Sequence, residues 1–163
     1  MIWVGLLLWW APGAVPQQVQ RGEALFTESG RGCLTCHALK GRGTAVGPDL
    51  STIARLAPRA IAMGIRSSAT QYVQAVKLKS GETFPGMPGA SDEGSLQFFD
   101  LSKTPPELRR VDRSDVKAVL TQDAWKHPPA AGNYTTDQIA DIVAYLRYAV
   151  TGNIKPVDAA DVE

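Results

Sequence analysis

Cys33-Leu34-Thr35-Cys36-His37 holds both cysteines and one of the two histidines of a 163-residue chain. On one turn of helix, side chains three apart share a face, so both sulfurs point the same way and the next residue aims an imidazole at whatever they hold. A structural disulfide, a thioredoxin-like redox pair and half of a zinc site all compete for such a pair. A zinc site takes about four ligands, and with no further cysteine and His127 as the other imidazole, the soft ligands run short. A thioredoxin-like pair is expected after a strand in a βαβ unit, whereas the residues ahead of Cys33 are polar and helical in spacing.

The pattern that uses all three groups is Cys-x-x-Cys-His, the signature of covalent haem attachment. In it Cys33 and Cys36 add across the haem vinyl groups as thioethers, and His37 becomes the proximal iron ligand. One haem c, covalently bound, is therefore the expected cofactor. Five residues supply the tether and one axial bond, and leave the sixth coordination position to be found elsewhere.

Outward from the motif, composition fits one small domain, with 44% hydrophobic and 20% charged residues. A net charge of +1 gives no general attraction to nucleic acid. The charges are unevenly spread: residues 21–79 carry nine Lys or Arg against three acids, and residues 80–163 carry eight against thirteen. A basic rim on the haem-bearing segment would steer encounter with an acidic redox partner, unless the two halves interleave and cancel it. Arg31, Lys40 and Arg42 are the nearest candidates for that rim or for contacts to haem propionates.

Residues 1–18 begin with the apolar run MIWVGLLLWWAP. It is too short for a bilayer, which takes about 20 apolar residues, and reads as a signal peptide or a short N-terminal anchor, with small residues near Ala14 as a possible cleavage site. No Lys or Arg precedes Arg21, so the positive region of a signal is missing. The expectation is an exported, periplasmic protein with membrane association through its N-terminus as an option.

Residues 19–30, VQRGEALFTESG, set Val19, Gly22, Leu25 and Phe26 at helical spacing and stop at Gly30 and Gly32. Residues 135–149 start with a threonine N-cap and place Ile139, Ile142, Val143 and Leu146 on one stripe. Gly22 is small enough to let the two helices cross closely, with Ala140 or Ala144 as the recess. Between them, Pro58 opens a short helix carrying Ile61, Met63 and Ile65.

These residues resemble class I cytochrome c: the Gly22/Phe26 helix, the haem motif, Gly47-Pro48-Asp49-Leu50, and the final helix with Ala144-Tyr145-Leu146. The resemblance implies a mainly α fold over residues 19–150, with single-electron transfer between redox partners rather than enzymatic turnover. It also implies that the carbonyl of Pro48 accepts the second ring N–H of His37, fixing tautomer, ring orientation and basicity. From Tyr72 to Val119 the period shifts toward two, which predicts a small antiparallel β insertion of three or four strands over 72–119. That insertion is similar to one in haem c proteins of acidobacteria and planctomycetes, which are often fused to or associated with quinoprotein-type dehydrogenases. After Gly152 the sequence has little to bury, so residues 151–163 read as a flexible tail.

Two residues answer for the distal position. Met87, in FPGMPG, has the ligand chemistry usual in the family; His127, in WKHPP, has the usual place, shortly before the last helix. If the insertion resemblance holds, Met87 belongs to a strand and His127 takes the distal bond. Trp125 would pack nearby, and Lys126, Met63 or an open position are the other options. Six-coordinate iron implies an electron carrier serving a dehydrogenase, membrane complex or oxidase. A haem-bearing subunit of a larger complex and a five-coordinate peroxidase or sensor stand as alternatives.

Overall fold

The computed structural model describes residues 15–67, 72–122, 125–128 and 134–163; the leader expected over 1–18 falls almost entirely outside them. The chain folds into a helical layer and a curled β-sheet, each with its own apolar core.

Helix α1 (Gln17–Thr27) buries Val19, Gly22 and Phe26, one stripe of its surface. It crosses α4 (Thr136–Thr151), whose start is closed by a reciprocal cap between Thr135 and Gln138 and whose end is the left-handed Gly152 at φ 71°. The crossing depends on Gly22: a Cβ there would overlap the Asp141 carbonyl and stand 2.9 Å from Tyr145 Cβ. Phe26 and Tyr145 stack with centroids 5.2 Å apart, and Arg21 grips buried Asp141 through bonds of 2.8 and 2.9 Å. Two short helices, α2 (Leu50–Ile53) and α3 (Pro58–Arg66), complete the layer, with Ala54, Ile61 and Ala62 in its core.

Between α1 and α2 a 3₁₀ turn at Cys33–Thr35 is followed by a two-stranded ribbon, β1 (Ala38–Leu39) and β2 (Arg42–Gly43). Its turn residues Lys40 and Gly41 both have positive φ, 51° and 76°, the mirror-image turn that suits a tight hairpin.

The fold is not mainly α. Helix accounts for 37% and strand for 24%, because the middle of the chain forms a five-stranded antiparallel sheet, ordered β6-β5-β4-β3-β7. The strands are β3 (Gln74–Leu78), β4 (Thr83–Pro88), β5 (Ser95–Asp100), β6 (Glu107–Asp112) and β7 (Val116–Thr121). The extra strand arises within ELRRVDRSDVKAVL: a 3₁₀ turn at Arg113–Asp115 breaks the run, and β7 returns to pair with β3 at the far edge. A flat five-stranded sheet is roughly 19 Å across, and a three-residue joint reaches only roughly 15 Å. The sheet must therefore curl, and its concave side closes over Val76, Phe84, Phe98 and Val111.

The segment expected to be a flexible tail is instead packed. Val157 and Val162 are 2% and 0% exposed, in the same core as α1 and α4. The Gln18 side chain donates to Val157 O at 2.7 Å and accepts from Val157 N at 3.0 Å, so an amide imitates a strand partner. A last helix, α5 (Ala159–Val162), follows, and Arg66 of α3 donates to the Val162 carbonyl. Two valines five residues apart, with Asp-Ala-Ala-Asp between them, carry no periodic signal, which is why sequence spacing alone gives no element here.

Candidate functional site

The 3₁₀ turn places His37 directly beyond both cysteines, with its N–H donated to Cys33 O at 2.8 Å. Neither cysteine forms a disulfide. Burial pushes the Cys33 thiol up to about 11 and the Cys36 thiol up as well, so in the polypeptide both are held neutral. Cys33 and Leu34 line the margin of the helical core.

The His37 ring is fixed from a second segment. Its Nδ1 lies 2.7 Å from Pro48 O, and since a carbonyl only accepts, Nδ1 carries a hydrogen, so in the neutral ring it is Nε2 that has the free lone pair. The loop that delivers Pro48 is latched to the haem motif by backbone bonds: Thr44 to Leu34 O at 3.1 Å, Val46 to Cys36 O at 3.1 Å and Gly47 to Cys36 O at 2.7 Å. Gly47 lies against the imidazole, where a Cβ would stand 2.5 Å from Cε1 and 2.9 Å from Nδ1. Asp49 then caps α2, accepting from Ser51 N at 2.7 Å, and the hydrogen bonds from Ser51 hold its carboxyl below the usual range.

His127 comes to the same place from the far end of the chain. Its ring centroid is 6.0 Å from that of His37, with planes at 88°, and Trp125 packs 6.5 Å away at 45°. Burial, and then the electrostatic influence of His37, lower the His127 pKa, against backbone hydrogen bonding at Ile65, in the last turn of α3, and Ser67, just past it. Tyr134 closes the side near Cys33, its pKa raised first by burial and then by Cys33 and Glu28.

Met87 is a β4 residue opposite Phe99, and it lines a cleft of about 440 Å³ with Gly47 and Pro48, both of which lie against the His37 ring. Met63 is 64% exposed on α3, and Lys126 is exposed. Of the three rim candidates, Arg31 is tied to Glu28 at 2.5 Å, and Lys40 and Arg42 are exposed on the ribbon.

The sequence model of the cytochrome c family matches residues 19–120, from α1 through the haem motif and the sheet almost to the end of β7. The chain belongs to the cytochrome c family. Comparison with curated proteins gives no match. The cytochrome is thus a haem-binding electron-transfer protein, and its cofactor is covalently bound haem c. The residues present fit that cofactor: two unbridged thiols on one turn, an imidazole whose Nδ1 is already committed, and a glycine where any side chain would dislodge the ring. Three parts of this arrangement escape sequence reading. The contact of Gly47 with the ring and the hydrogen bond from Lys40 N–H to Ser51 Oγ, 2.8 Å long, needed the Pro48 loop to be folded back; Asp49-x-Ser51, a capping signature after proline, is the one local hint. Tyr134 gave no signal beyond its place before the last helix.

Proposed function

We propose that this cytochrome is an exported, monohaem carrier of single electrons, with thioethers at Cys33 and Cys36, the proximal iron bond from His37 and the distal one from His127. The observation that carries the reading is the pair of imidazoles with centroids 6.0 Å apart. Two imidazoles sharing one ion from opposite sides need about 2 Å for each metal–nitrogen bond and about 1 Å from each nitrogen to its ring centre, or about 6 Å in all. Met87 lies in strand β4, as expected if the sheet is the insertion of the haem c resemblance, the arrangement in which His127 takes the distal bond.

Bound haem supplies a one-electron couple whose potential follows its axial ligands. Pro48 keeps His37 a strong donor by accepting the Nδ1 hydrogen, and two imidazoles hold the potential below that of an imidazole–thioether pair. With both axial positions taken by side chains, none is left for a substrate, which favours a carrier over a peroxidase or sensor. Helix α1, the haem motif, the Pro48 loop and α4 occur in the order of a class I cytochrome, and the sheet between α3 and α4 fits the acidobacterial and planctomycete resemblance. Export follows from covalent haem attachment, normally completed outside the cytoplasmic membrane, and from the apolar residues 1–12. Exposed Lys40 and Arg42 beside the motif suit an acidic docking face on the partner.

A second reading, a haem-bearing subunit of a larger redox complex, is favoured by the sheet. Leu108 and Leu120, on its two edge strands, are 56% and 49% exposed.

Visible spectra of the holoprotein test the axial assignment. The expected result is a low-spin ferric spectrum without a thioether-to-iron charge-transfer band, converted to high spin by His127→Ala and unchanged by Met87→Leu. A charge-transfer band lost in Met87→Leu would sink the assignment to His127.

A further inference from the structure

Pro48 orients His37 only if the two segments that carry them stay in register, and one side chain joins them a second time. Ser51 Oγ accepts the backbone N–H of Lys40 at 2.8 Å. Lys40 follows His37 by three residues and Ser51 follows Pro48 by three, so the two links, His37 to Pro48 and Lys40 to Ser51, each span eleven residues and run side by side. The second link is set up by local structure at both ends. Lys40 is held at φ 51° in the turn of the ribbon, where its N–H donates outside the ribbon. Ser51 is fixed at the start of α2 by its own N–H bond to Asp49 at 2.7 Å. Between the two links Leu39 is buried in the helical core and Leu50 packs against it, which ties the pair to the body of the protein.

We propose that Ser51 is a positioning residue for the proximal imidazole: by bracing the ribbon to the Pro48 segment it keeps the His37 Nδ1–H bond to Pro48 short, and so sets the donor strength of His37. The inference rests on His37 being the proximal ligand. It concerns a hydroxyl bonded to the backbone of Lys40, acting through the distance between two backbones.

The test is Ser51→Ala in the holoprotein, read by proton NMR of the His37 ring and by the reduction potential. In the wild type, strongly shifted His37 ring resonances in the ferric state establish that this histidine binds iron; their absence would remove the underlying reading, independently of Ser51. Given those shifts, Ser51→Ala is expected to speed solvent exchange of the Nδ1 hydrogen by roughly two- to tenfold, the worth of one hydrogen bond, and to raise the potential. Ser51→Thr, which keeps the hydroxyl, should restore both. Gln18→Ala, which loosens the packed C-terminal segment, serves as a variant of lowered melting temperature without a broken brace. Unchanged exchange and potential in Ser51→Ala, or equal changes in Gln18→Ala, would overturn the proposal.

Discussion

At the scale of single residues, the site is held by small and polar groups whose roles depend on what they touch. Gly47 is the clearest case. Its missing side chain leaves room for the His37 ring, which cannot retreat without releasing Pro48. Gly47→Ala is expected to lower stability by about 1–3 kcal/mol, the usual cost of overpacking, and to change the visible spectrum of the holoprotein. Thermal melts and visible spectra of the holoprotein check both, and an unchanged midpoint would mean that the loop yields instead of the ring. The haem motif itself was legible as a string, because thioether chemistry fixes its spacing locally. His127 was legible only as a candidate: His37 lies ninety residues away along the chain, and Met87 offered the donor chemistry usual in the family.

At the scale of elements, the curled sheet is stapled by a buried carboxylate. Asp100, 2% exposed at the end of β5, accepts from the Ser102 hydroxyl at 2.6 Å and from Arg109 of β6 at 3.1 Å. Arg109 also reaches Glu82 at 2.7 Å and lies 4.2 Å over the Phe84 ring, so one side chain ties β6 to the β3–β4 end of the sheet. Burial alone would raise the Asp100 pKa, but the bonds from Ser102 and Arg109 outweigh it and the net shift is downward. A lowered native value gives stability that is complete above the unfolded value of about 3.9 and is lost as pH falls through the folded one. Asp100→Asn should therefore cost about 1–3 kcal/mol at pH 7 and show a flatter loss of stability than wild type as pH falls below about 4. Urea titrations across that range give the comparison; parallel curves would exclude the carboxylate as the source. The alternation that betrays these strands is short-range, but their number and order are not. The break at Arg113–Asp115 and the pairing of β7 with β3 follow from closing the sheet over Val76, Phe84, Phe98 and Val111.

At the scale of the whole molecule, the C-terminal segment closes the helical layer. Truncation after Gly152 would remove Val157 and Val162 from the core, together with both Gln18 bonds and the Arg66 contact. With about 1.5–3 kcal/mol for each fully buried valine, and less where the unfolded chain already shields it, the truncated protein should lose several kcal/mol in urea unfolding followed by haem-independent far-ultraviolet circular dichroism. A loss within experimental error would show the segment to be incidental. The sequence by itself pointed to the cofactor and its tether through the Cys-x-x-Cys-His spacing, and to the two crossing helices through apolar residues three and four apart, patterns that local geometry reads directly; the role of Pro48 came from the family resemblance, and the fold sets its carbonyl 2.7 Å from His37 Nδ1. Tertiary structure alone decided that the middle of the chain is a five-stranded curled sheet, that the last residues are core, and that the His127 ring comes within 6.0 Å of the His37 ring. Those outcomes depend on which distant segments bury each other's surfaces, and no short window of residues encodes that.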